Sequence, residues 1–93
     1  MFTFKRNGEI LAGGILVGIW WYQNIWEEQG GRRDASGNLT VKGLWHYADI
    51  TGQHNWGYKK ADLTGYLLRD WEKLMKAHRE LTEEQKWINI NNA

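Results

Sequence analysis

GEILAGGILVGIWWYQNIWEEQ, residues 8–29, is the least water-loving stretch of the chain, and its reading decides the fold. Residues 10–22 within it carry neither charge nor amide: thirteen apolar, aromatic or glycine positions follow one another. Such a run reads as a strand, a buried helix or a membrane helix, and periodicity alone does not separate them. A strand buried on both faces needs cover on each side, more than a chain of 93 residues supplies, although a bend at Gly13-Gly14 would shorten it. A helix in water would be apolar all round, and Gly13, Gly14 and Gly18 would each cost about 1 kcal/mol against alanine.

A membrane helix accommodates more of these features. Gly14 and Gly18, four apart, are helix-packing positions that let a second helix approach closely in lipid. Trp20, Trp21, Tyr22 and Trp26 gather at one end, where aromatic rings favour the membrane interface. Phe2 and Phe4 stand at the other end beside Lys5 and Arg6. Length is the weak point. Residues 10–26 reach roughly 26 Å as a helix against a hydrocarbon core of ~30 Å, and Gln23 and Asn24 would need protein neighbours. A secretory leader fits less well, because Trp20-Trp21-Tyr22 stands where small residues precede cleavage.

Beyond this stretch, residues 27–38 (EEQGGRRDASGN) form a polar, glycine-rich connector. Residues 39–45 (LTVKGLW) suit a short strand. Asn7-Gly8 suits a hairpin turn leading into Ile10. ADITG (48–52) and ADLTG (61–65) both read as turns or helix starts, where Asp and Thr satisfy free N–H groups. From about Asp62 to Leu81 the spacing predicts an amphipathic helix: Leu67, Trp71, Leu74, His78 and Leu81 fall on one stripe. Thr82-Glu83-Glu84-Gln85 reads as a capping box that starts a second, short helix, with the tail from Asn89 frayed. The expected fold is therefore mainly α. It has a single marginal transmembrane helix in segment 1–29, an aromatic-rich connector with a short strand over 30–61, and a C-terminal amphipathic helix, a short second helix and tail over 62–93. The alternative is a small soluble α+β fold.

Composition narrows the chemistry. The chain has no cysteine, which removes disulfides, iron–sulfur ligation and thiolate zinc sites. A net charge of +1 argues against a general nucleic-acid binder. No nucleophile elbow, phosphate loop or acid–base pair stands out, so no catalytic residue, cofactor or metal is assigned. His46, Asp49 and His54 are the one cluster of metal-capable side chains, but at a spacing that matches no established site. Seven Trp suit a membrane interface, a contact surface or a small aromatic core. Trp45 and Tyr47, like Trp56 and Tyr58, sit two apart and would share a face on extended chain.

These features together lead to an expectation of a small single-pass membrane protein, a structural accessory or regulatory subunit of a larger protein complex. Its layout resembles the small single-pass accessory subunits of respiratory and photosynthetic complexes, without a motif that ties it to a family. The expected partners are that complex and the lipid bilayer, with self-association through the glycine pair also allowed. Leu67, Trp71, Leu74, His78, Trp45 and Trp56 are the expected partner-binding residues, and the expected localisation is a membrane. The alternative is a cytoplasmic α+β interaction module, or small inhibitor, that docks on a protein target through a Trp-rich surface.

Overall fold

The computed structural model describes residues 2–25, 32–33, 35–36, 39–40 and 42–93. The element order is β1 (Phe2–Phe4), β2 (Glu9–Ala12), β3 (Ile15–Ile25), β4 (Arg32–Arg33), β5 (Leu39–Thr40), β6 (Lys42–Asp49), β7 (His54–Gly57), α1 (Lys60–Arg69), α2 (Trp71–Glu80) and α3 (Glu83–Asn91). Five strands form one antiparallel sheet in the order β1-β2-β3-β6-β7, and β4 pairs with β5 in a separate two-stranded ribbon. The fold is α+β, not mainly α. Among the described residues no helix is long and apolar enough to cross a membrane. The expectation of a transmembrane helix is thereby overturned, and with it the likeness to single-pass accessory subunits.

The opening apolar stretch is two strands and a turn. Gly13 and Gly14 link Ala12 to its partner Ile15, with φ of +57° and +84°. Two consecutive positive φ values are what a two-residue type I′ hairpin turn demands, and glycine adopts them at low cost. The Asn7-Gly8 turn also forms. Gly8 has φ +97°, its N–H donates to the Lys5 carbonyl, and Lys5 N–H donates to the Glu9 carbonyl.

A β-bulge explains why the stretch shows no alternation. Ile10 pairs with Gly18 but Leu11 pairs with Leu16, so Val17 is the extra residue in β3. The bulge shifts the phase: Ile15 shares a face with Ala12 before it, and Gly18, Trp20 and Tyr22 share that same face after it. A period of two with a slip at its centre looks like a continuous apolar run. Gly18 is required for another reason. A Cβ there would lie 2.5 Å from the Ala48 carbonyl oxygen of β6.

One face of the sheet carries the core. Ile10, Ala12, Val17, Tyr47 and Ile50 pack with Leu63 and Leu67 of α1, Leu74 of α2 and Ile90 of α3. Phe2 meets Trp71 edge to face at 5.8 Å, Trp20 meets Trp45 at 5.2 Å, and the Trp20 indole N–H donates to the Lys5 carbonyl at 2.8 Å. Segments 1–29 and 30–61 thus contribute strands to a single sheet, and segment 62–93 supplies its helical cover.

The predicted helix from Asp62 to Leu81 is broken at Asp70, which separates α1 from α2. The capping box at Thr82 is present, with Gln85 N–H donating to Thr82 Oγ1 and Thr82 N–H donating to Gln85 Oε1. The tail is helical to Asn91 rather than frayed, because Asn89 Nδ2 donates to the Ile50 carbonyl and ties α3 to the end of β6. The ADITG and ADLTG strings are a β-turn region and the first turn of α1. Asp49 Oδ1 accepts from Thr51 N–H, Thr51 Oγ1 and Gln53 N–H, and Asp62 Oδ2 accepts from Lys59 N–H.

Candidate functional site

The three helices pack on one face of the sheet, and the opposite face keeps its large side chains half in solvent. Register places Trp21 of β3, His46 of β6 and Trp56 of β7 in one row across three strands. Ile19, Ala48 and His54 form the next row. Trp21 is 38% exposed and Trp56 48%. Among the described residues no helix packs on this outer face, so a strand apolar on both sides does not require helical cover on each.

At its centre three rings and an amide interlock. Trp21 lies parallel to His46 with centroids 5.3 Å apart, and at the same distance from His54. His46 Nε2 is 2.8 Å from Gln23 Oε1, and His46 Nδ1 is 2.9 Å from His54 Nε2. An amide oxygen only accepts, so His46 Nε2 carries the proton. When His46 is neutral, Nδ1 is then a lone pair that accepts from His54 Nε2–H. Burial, and secondarily the nearby His54, lowers the His46 pKa below the ordinary imidazole value, which favours that neutral form. His46 is buried, whereas His54 and Gln23 are exposed.

Asp49 does not join the histidines. It lies three positions from His46 on the same strand, and odd spacing turns it to the core face. There it is almost wholly buried with Oδ2 unpartnered, and desolvation raises its pKa above the usual carboxylate value. Among the described residues no set of three His, Cys, Asp or Glu is placed to hold a metal ion.

The structure distributes the sequence-predicted residues as follows. Gly14 lies in the β2–β3 turn and Gly18 against the β6 backbone, so neither faces a neighbouring helix. Of the expected membrane-interface cluster, Trp20 faces the core side, Trp21 the outer face, and Tyr22 is half exposed beside Trp45. Alternation on a strand separates what a helix end would have gathered. Trp26 lies outside the described residues. Leu67 and Leu74 are fully buried in the chain's own core, Trp71 packs on Phe2, and Trp45 packs on Trp20. His78 Nδ1 accepts from the buried Lys86 Nζ at 3.1 Å, and Lys86 also reaches Glu83 at 3.0 Å. Trp56 is the one member of that partner-binding set on the outer face. Trp45 and Tyr47 do share a face, but it is the covered one, so they form no platform with Trp56 and Tyr58.

Sequence reasoning missed Trp21 and Gln23 as outer-face residues. The signal was there: Ile19, Trp21 and Gln23 alternate with Gly18, Trp20 and Tyr22 once the bulge resets the phase. Neither a family model, a curated protein nor a solved structure matches the chain.

Proposed function

We propose that this chain is a protein-interaction module, and that its outer sheet face docks on a partner protein. The observation that carries this reading is the row Trp21–His46–Trp56: two half-exposed indoles on adjacent sides of a central strand, on the face without helical cover. Large aromatic side chains in a semi-rigid setting are the usual energetic anchors of protein interfaces, because they bury much area with little loss of rotamer freedom. The electrostatics favour a protein over a nucleic acid. The net charge of the chain is +1, too small a positive excess for a general phosphate binder, and Glu9 lies on this face opposite Ile19. A partner surface with an apolar centre suits it.

Site-specific photo-crosslinking tests the reading in the cells that make the protein. A photoreactive residue at position 56 should yield a discrete protein adduct, and the same residue at the exposed Lys76 of α2 should not. An adduct at twice the mass of the chain would name a second copy as the partner. Equal, diffuse labelling from both positions would reject the reading.

A further inference from the structure

The His46–His54 pair has the geometry of a chelate as well as of a hydrogen bond. We propose that His46 Nδ1 and His54 Nε2 form a two-imidazole site for a late first-row divalent ion such as Zn²⁺ or Cu²⁺, with water completing the coordination on the outer face.

Three observations converge. The two nitrogens are 2.9 Å apart and belong to different strands held in register by the sheet. An ion bonded to each at ~2.0–2.1 Å, with an angle of about 90–110° between them, requires nitrogens about 2.9–3.4 Å apart. Next, His46 is oriented the way a ligating histidine is. Its Nε2–H is held by the Gln23 amide oxygen, which fixes the tautomer and leaves the Nδ1 lone pair turned toward His54. Finally, His46 is 8% exposed while His54 is open to solvent, so one ligand is fixed in place and the other has room to rotate.

Binding needs one proton relocation. His54 shifts its ring proton from Nε2 to Nδ1, both rings stay neutral, and the ion replaces the shared hydrogen bond with no net proton release. A protonated imidazole cannot ligate, so binding weakens as pH falls. Neutral imidazoles suit zinc, copper and nickel, and the Irving–Williams order places copper above zinc. The proposal stands on the chain's own side chains and does not depend on partner docking.

The test is calorimetric titration of the metal-free protein with Zn²⁺ and with Cu²⁺ at neutral pH, beside ¹⁵N-detected imidazole spectra during Zn²⁺ addition. The expected result is saturable 1:1 binding, tighter for Cu²⁺. His46 Nδ1 and His54 Nε2 should shift, the His78 ring should not, and affinity should fall at least tenfold in His54→Asn. His54 is exposed, so that variant keeps the core. The ring assignments on the unmodified protein decide the matter if it does not fold. Absence of saturable binding, unchanged affinity in His54→Asn, or shifts at His78 in place of the pair would overturn the proposal.

Discussion

Gly18 and Asp49, paired across β3 and β6, show how single side chains constrain this fold. Gly18 leaves room for the neighbouring strand: an added Cβ would meet the Ala48 carbonyl at 2.5 Å and Asp49 Cα at 3.1 Å. Backbone atoms cannot swing aside, so Gly18→Ala should lower the urea midpoint by the equivalent of about 1–3 kcal/mol. A membrane helix would tolerate that change far better, since alanine also serves in small-residue helix contacts. Asp49 predicts a pH dependence. Its folded pKa is raised above 3.8 by burial, so the folded state holds the proton more tightly than the unfolded chain. Its contribution to stability is therefore most favourable below the unfolded pKa and declines as pH rises through the folded one. Asp49→Asn keeps the acceptor for Thr51 and Gln53 and removes the charge. Urea unfolding from pH 3 to pH 7 should show the Asn variant gaining on the parent as pH rises, and a constant difference would contradict this. Tyr47 is a quieter case. Its hydroxyl is buried, accepts from Asn55 Nδ2 at 2.8 Å, and has its pKa pushed up to about 12 by desolvation. Tyr47→Phe should cost about 1 kcal/mol by leaving Asn55 without that acceptor.

The C-terminal helical segment was legible in the sequence except for its break at Asp70, and the strands were partly hidden by their own irregularity. Leu67 and Leu74 are buried on the side of the helical segment that the stripe predicts, and the Thr82 box forms because its residues lie adjacent in sequence and depend on nothing distant. Thr82→Ala should therefore cost about 1 kcal/mol, measured as a loss of thermal stability. The stretch from Ile10 to Tyr22 misled for three reasons. The hairpin at Gly13-Gly14 resembles a flexible pair, the bulge at Val17 breaks the alternation, and the partner strand β6 begins at Lys42. The turn is itself testable. Gly13→Asn should be close to neutral, because asparagine adopts positive φ in type I′ turns, while Gly14→Val should destabilise clearly. Comparable thermal stability of the two variants would argue against the turn assignment.

Taken as one molecule, the chain solves its shortage of cover asymmetrically. Three short helices seal one face of the sheet, and on the other, among the described residues, Trp21, His46 and His54 pack against each other. The candidate site was legible as a list, since His46, His54, Trp56 and the tryptophan cluster all stood out, but not as a surface. Which residues share a face depends on a register that spacing alone does not reveal, and that register sends Trp21 outward and Trp20 inward. The absence of cysteine makes the central claim directly measurable. Single cysteines placed in turn at positions 15 to 23 can be labelled with a thiol reagent in plain buffer without detergent. This structure predicts slow labelling at the buried position 17 and rapid labelling at 21, 22 and 23, all without detergent. A labelling rhythm of three to four residues, or uniform protection that detergent alone relieves, would contradict the strand assignment and restore a helix.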